Sequence, residues 1–360
     1  MNHLAERYQR QHILEGFGLE AQEKLSNARI LVIGAGGLGC PILQYLAVAG
    51  IGTLGIADND RVAAHNLNRQ ILYGPEDIGT LKVEAAATKI GSLNESVKTI
   101  CYPERWTQQL SILHFPQYDI IVDATDNFAT RYLINDGCVL LHKPLVFGAV
   151  SRYEGQVAVF NVEKDNDSVN YRDLFAAPPQ DEEVLSCSEA GVLGVLPGII
   201  GVMQATEVIK LITGIGTPLV NQMRIYNALS QEMYAVQLSK SSHSAATIPP
   251  NMEAYLEMKY EFLCASSSVQ EITVNDFLSG QSNFLLVDVR AENELPRITH
   301  LDHIVCSLSE LVTILPELKD RDIVFVCQSG VRSKKAAALF QQANQKVYSL
   351  QGGVLELFNN

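Results

Sequence analysis

Arg29-Ile-Leu-Val-Ile-Gly-Ala-Gly-Gly-Leu-Gly-Cys40 decides the fold. Its first five residues are an apolar β run, Gly34 to Gly39 is a tight glycine turn, and Pro41 to Ala49 continues as an apolar helix that stops at Gly50. Strand, glycine loop and helix in that order bring backbone N–H groups and the positive end of a helix dipole to one point, so the loop reads as a phosphate site. Gly34, Gly36 and Gly37 are its candidate nucleotide contacts. A second strand, Thr53 to Ala57, ends on Asp58, where an acidic side chain commonly binds ribose hydroxyls. NAD and ATP are equally served by these features.

Working outward, residues 1 to 28 read as one amphipathic helix, with Leu4, Tyr8, Ile13, Leu14, Phe17 and Leu25 spaced mostly by threes and fours. Asp119 to Val122 is another β run, followed by Asp123-Ala-Thr-Asp-Asn127. Gln156 to Phe160 reads as a strand, Asn161 to Ser186 as a long polar loop, and Pro197 to Leu211 as a helix stopped by Gly214. A second α/β unit follows, with strands at Phe284 to Val287 and Ile323 to Val326 and a helix at Ser333 to Gln342. The expected fold is α/β: a Rossmann-like domain with a mostly parallel sheet over 1–240, a linker at 241–268, and a small α/β domain over 269–360.

A formal charge of −13 disfavours nucleic acid and anionic lipid, whose binding is built on Lys and Arg. Seven cysteines without a C-x-x-C pair give neither a disulfide nor a zinc framework and fit a reducing cytosol. Met1 to Arg10 has no apolar signal segment. Ala190 to Ala205 is too short for a bilayer and carries Pro197, so it reads as protein interior. A cytoplasmic protein, without membrane or nucleic-acid partners, is expected.

The run Asn66-Leu-Asn-Arg-Gln70, then Lys82, then Asp126-Asn127, separates the two nucleotides. Two cations and a carboxylate suit a triphosphate with Mg2+, and hydride transfer from NAD has no use for them. Through Arg7-Tyr-Gln-Arg-Gln11, Gly34 to Cys40, Asn66 to Gln70, Thr125-Asp-Asn127 and Cys187-Ser-Glu-Ala-Gly-Val192, the chain resembles the MoeB/ThiF family of ubiquitin-activating-like adenylyltransferases over nearly residues 1 to 240. The resemblance implies that Gly37 and Asp58 contact ATP, that Asn66, Arg69 and Lys82 contact its phosphates, and that Asp126 binds Mg2+. Arg10 would reach the ATP of a second subunit, which implies a homodimer. Cys187 is either a thiol presented for covalent chemistry or a small buried hydrophobe. Many relatives carry two C-x-x-C pairs for a structural zinc; the matching segments here are Asn170-Tyr-Arg-Asp173 and Ser241 to Thr247, with one His243 and no thiolate, so no zinc is expected.

Cys327-Gln-Ser-Gly-Val-Arg332 sits between a buried strand and a helix, where helix N–H groups and Arg332 favour a thiolate. Its four-residue spacing, with Asp288-Val-Arg290 and Gln351-Gly-Gly353, resembles the rhodanese active loop over about residues 269 to 360. Thr299-His-Leu-Asp-His303 departs from the rhodanese pattern by lacking glycine. Together the two resemblances imply ATP-dependent adenylation of the C-terminal glycine of a small ubiquitin-like sulfur carrier, of molybdopterin or thiamine type, followed by sulfur transfer from a Cys327 persulfide. A carrier tail of Gly-Gly and a sulfur donor such as a cysteine desulfurase are the implied partners. The alternatives are a sulfurtransferase that does not adenylate and an NAD-dependent oxidoreductase.

Overall fold

A computed structural model describes residues 6–164, 167–176, 191–241, 244–260, 269–291, 294–307, 311, 321–330, 332–334, 336–337 and 346–358. The chain forms two compact units, Met1–Cys264 and Ala265–Asn360.

The first unit begins with α1 (Gln9–His12) and α2 (Gly18–Asn27). The single amphipathic helix expected there is broken, because Gly16 and Gly18 both adopt positive φ, a conformation no helix interior allows. Then come β1 (Arg29–Ile33), α3 (Gly39–Ala49), β2 (Thr53–Ala57), α4 (Lys82–Leu93), β3 (Lys98–Tyr102), α5 (Gln108–His114), β4 (Ile120–Asp123), α6 (Phe128–Leu140), β5 (Leu145–Ser151) and β6 (Glu154–Phe160). A one-turn helix α7 (Tyr171–Leu174) interrupts the expected long loop, and α8 (Val195–Thr213), β7 (Gln222–Asn227) and β8 (Met233–Gln237) complete the sheet. Strand order is β3-β2-β1-β4-β5-β6-β7-β8. The pairs from β3 through β5 are parallel; β5 to β8 pair antiparallel.

The parallel strands β1, β2, β4 and β5 are largely apolar and buried because both faces are covered, whereas β3, at the sheet edge, carries Lys98 and Thr99 and stays partly exposed. Ile30 and Val32 face a core shared with Leu25, Leu43 and Leu46, while Leu31 and Ile33 face one shared with Tyr118, Tyr132 and Phe147. Helix α8 is long and apolar enough to cross a membrane by composition, yet it packs on α2, α3, β5 and β6 inside this unit.

The segment expected to be a linker is partly folded onto this unit. It forms α9 (Ser244–Thr247) and α10 (Met252–Glu257), and Tyr255 is fully buried with its hydroxyl donating to the Leu133 carbonyl at 3.0 Å. Buried aromatic surface outweighs the Ser- and Pro-rich local composition.

The second unit holds β9 (Gln270–Ile272), α11 (Val274–Ser279), β10 (Phe284–Asp288), β11 (His303–Val305), β12 (Asp322–Val326), helical residues at 332–334 and 336–337, β13 (Val347–Leu350) and α12 (Gly353–Leu357). Its parallel sheet has the order β11-β10-β12-β13-β9.

Candidate active site

Strand β1 lies between β2 and β4, the point where strand order reverses and a crevice opens beyond the strand ends. Gly34, leaving β1 at φ +100°, passes so close to β4 that a Cβ would stand 2.5 Å from the Ala124 carbonyl oxygen. A Cβ on Gly37 would stand 3.0 Å from Pro197 in the first turn of α8. Glycine is thus required at Gly34 by both conformation and space. The loop, with Gly36, walls a cavity of about 280 Å3.

Asp58 borders this cavity and accepts the N–H groups of Ala35 (2.9 Å) and Asp60 (2.8 Å). Burial pushes its carboxyl above the ordinary range, against the opposing pull of Lys82. Lys82 also lines the cavity; its Nζ is 2.7 Å from Asp60 and 3.8 Å from Asp58, and its side chain is 6% exposed. The buried ammonium is thus held in place at the cavity wall by two carboxylates. Arg69 lines the same wall, its Nη1 donating to the His65 carbonyl (3.2 Å) and Asn68 Oδ1 (3.0 Å). Opposite, Asp126 is exposed on the turn before α6, and Asn127 caps that helix by accepting the Thr130 N–H at 2.9 Å. Asp123 braces the turn from inside, accepting the Thr125 N–H (2.9 Å) and hydroxyl (2.7 Å).

One expected contact lies elsewhere. Asn66 is buried in the 3-10 turn Ala64–Asn66 and does not line the cavity; its backbone carbonyl accepts the Arg69 and Gln70 N–H groups. Arg10, expected to act on a second subunit, is exposed on α1, outside the cavity lining of its own chain. Cys187 and His243 fall outside the described residues.

Residues the sequence reading passed over also line the cavity. Gln70 is 4% exposed, and its Oε1 has no partner among the described residues. Arg131, one turn into α6, donates to the Thr125 carbonyl at 3.1 Å and lies over the rings of Phe128 and Phe147. Trp106, after β3, donates to Ser111 Oγ at 2.9 Å and presents an aromatic wall. Position four residues after the Asn127 cap could have flagged Arg131; Trp106 had no local signal. Among the described residues no three His, Cys, Asp or Glu side chains converge as a metal cage. A lone carboxylate at the cavity, such as that of Asp126, could hold a Mg2+ only together with nucleotide oxygens, the usual arrangement for this ion.

At the segments where thiolates would hold zinc, oxygen and nitrogen groups bond to one another. Asp173 accepts the Ser241 N–H (2.8 Å), the Ser244 hydroxyl, and the Asn170 N–H (2.8 Å) and side-chain amide (2.7 Å). Next to it, Arg172 forms a two-pronged pair with buried Asp136 at 2.7 Å and 2.7 Å, and Tyr260 donates to the same carboxylate at 2.7 Å.

In the second unit Cys327 leaves β12 with its thiol 1% exposed, 3.6 Å from Ser333 Oγ. Arg332 does not stand as an unshared cation beside it: two bonds of 2.6 Å tie the guanidinium to Glu294, whose carboxyl it holds below the ordinary range. Arg290 is paired with Asp288 and donates to Gln328 Oε1 at 2.9 Å, fixing the residue after the cysteine. Glu294 was not singled out in the sequence, although its place four residues after Arg290 was visible.

Residues 8–247 match the ThiF family and residues 273–359 match the rhodanese-like domain. The chain is 38% identical to a probable adenylyltransferase/sulfurtransferase MoeZ of Mycobacterium tuberculosis, over 97% of this chain and 91% of the relative. It is 48% identical to a sulfur carrier protein adenylyltransferase of Thermus thermophilus, over 62% of this chain and 83% of that one. A crystal structure of E. coli MccB with ATP shares the fold, with a TM-score of 0.54 and 21% identity over 62% of this chain and 68% of that one.

Proposed function

Because the chain belongs to the ThiF family and carries a rhodanese-like domain behind it, we propose that it adenylates the C-terminal glycine of a small ubiquitin-like sulfur carrier and then supplies that carboxyl with sulfur. The observation that carries the adenylation half is one cavity holding a glycine loop, Arg69, Lys82 and Asp126 together. An oxidoreductase on the same loop would leave those charges without a task.

In this reading the carrier carboxylate attacks the α-phosphorus of ATP and pyrophosphate leaves. Arg69 and Lys82 offset the charge that builds on the phosphates, and Asp126 would hold a Mg2+ that supplies further neutralisation when bound. Asp58 holds the ribose. Only glycine lets a tail run this close to a nucleotide, so the carrier ends in Gly-Gly.

Sulfur enters when the Cys327 thiolate attacks the terminal sulfur of a donor persulfide, such as that of a cysteine desulfurase, and the donor thiolate leaves. The outer sulfur of the Cys327 persulfide then attacks the acyl-adenylate carbon, expels AMP and gives an acyl disulfide. A thiolate, for which Cys187 is the candidate, attacks Cys327 Sγ and releases the carrier thiocarboxylate. The resulting disulfide returns to two thiols by reaction with a cellular thiol reductant.

A homodimer in which Arg10 completes a second subunit's site accounts for its exposed position outside its own cavity. The chain needs no zinc, since the Asp173 cluster ties the same segments. The composition suits the cytoplasm.

The test is carrier-dependent ATP–pyrophosphate exchange with candidate carriers ending in Gly-Gly, comparing wild type with Asp126→Ala. Exchange that requires a carrier and disappears in the variant supports the reading, and the carrier that works distinguishes molybdopterin from thiamine type. Absence of exchange with every carrier, while a persulfide still forms on Cys327, would leave a sulfurtransferase that does not adenylate.

A further inference from the structure

Cys327 has a second feature beside it, and its meaning rests on the persulfide reading above. Ser333 and Ser349 are both fully buried. Ser333 Oγ lies 3.6 Å from Cys327 Sγ, 3.0 Å from the Gly330 carbonyl oxygen and 2.8 Å from Ser349 Oγ. Each hydroxyl brings one hydrogen. When Sγ is neutral it is a weak acceptor, so Ser333 donates to the Gly330 carbonyl while Ser349 donates to Ser333. When Sγ is a thiolate it becomes the stronger acceptor, and the Ser333 hydrogen turns to it. Nothing is orphaned by that turn, because the Gly330 carbonyl keeps the Lys334 N–H at 3.3 Å.

The cations on the surrounding elements each carry a carboxylate partner: Arg332 is paired with Glu294, Arg290 with Asp288, and Lys334 with Glu271, and Glu356 lies on α12. We propose that Ser333 is a catalytic residue of sulfur transfer, donating a hydrogen bond to Cys327 Sγ whenever it is a thiolate, and that Ser349 is a positioning residue that aims the Ser333 hydroxyl.

Charge appears on Sγ in one identifiable step. With thiosulfate, the Cys327 thiolate attacks the outer sulfur, the S–S bond breaks and sulfite leaves. With cyanide, carbon attacks the outer sulfur of the persulfide, thiocyanate departs, and the electron pair of the broken S–S bond stays on Sγ. The Ser333 bond stabilises that leaving thiolate.

The experiment uses the full chain, loaded with thiosulfate and discharged with cyanide, alongside the pH profile of Cys327 alkylation by iodoacetamide read at its own peptide by mass spectrometry. Ser333→Ala is expected to slow discharge about tenfold and move the alkylation profile up by about one pH unit, the same factor seen two ways. Ser349→Ala should move both in that direction by less. Ser333→Thr keeps a hydroxyl and should leave both near wild type, which separates hydrogen bonding from loss of folding. An unmoved alkylation profile in Ser333→Ala, or a Thr variant as impaired as the Ala variant, overturns the proposal. A wild-type chain that takes no sulfur from thiosulfate counts against the persulfide reading instead, and the alkylation profiles still decide the role of the hydroxyl.

Discussion

Asp173→Ala removes the acceptor on which four hydrogen bonds converge, from Ser241, Ser244 and, twice, Asn170. A hydrogen bond to a charged group contributes about 1.5–3 kcal/mol net, but a straight sum of four would rival the whole stability of a domain. Asp173 is half-buried, so water recovers part of the loss. The expected cost is about 3 kcal/mol, which for a unit of this size lowers the unfolding midpoint by about 6–12 °C. Asp173→Asn should fall between the two: its oxygen can still serve the serines, while its NH2 meets the Asn170 donors. Scanning calorimetry of the full chain, with and without EDTA, reads both effects. EDTA should leave the wild-type midpoint in place. A wild-type midpoint that EDTA lowers by several degrees would refute the argument, as would an Asp173→Ala chain within about 1 kcal/mol of wild type.

If Lys82 is the phosphate partner proposed above, Lys82→Ala should depress pyrophosphate exchange by about a hundredfold, with Asp58 and Asp60 left to repel the nucleotide. Gln70→Glu keeps shape but puts a negative charge in the cavity wall, and the KM for ATP should rise about tenfold in steady-state exchange, with Gln70→Ala affected less. Burial holds the Asp58 carboxyl high, so the stability it contributes is present at low pH and lost as pH rises through its native value. Asp58→Asn is therefore expected to hold or raise the midpoint at neutral pH while weakening nucleotide binding by titration; a large drop in midpoint would mean that the Ala35 and Asp60 bonds outweigh burial. Glu294 has the opposite sign: Arg332 lowers its carboxyl, so the pair stabilises above the ordinary glutamate range and fails as pH falls through the lowered value. Glu294→Gln should flatten the acid limb of the second unit's unfolding curve.

Elements whose code is local could be read from the chain. The β1 run, the glycine turn and α3 need only neighbours in sequence, and β2 and β4 announce themselves because burial on both faces leaves no polar alternation, whereas the partly exposed edge strand β3 carried no such signal. The same holds for β12 and the Cys327 loop. What escaped depends on distant partners. Trp106 reaches the cavity only because β3 lies beside β2, and Glu294 matters only because it meets Arg332. The Asp173 cluster is built of Asn, Asp and Ser, residues whose local signature is a turn, and nothing in 241–260 foretells that Tyr255 and Tyr260 will be interior. Arg172 and Asp136 are a similar case, ordinary charges in sequence that become a buried pair.

The Asp136–Arg172–Tyr260 and Asp173–Ser244 bonds also set an order of events during synthesis. Asp136 and Asp173 emerge from the ribosome well before Tyr260, Ser241 and Ser244, which complete their hydrogen bonds, so the nascent unit waits with an incomplete seam until Tyr260 has cleared the exit tunnel. A gene fragment cut after Gln237, where the sheet ends, would encode every strand of the first unit and still lack its fastening.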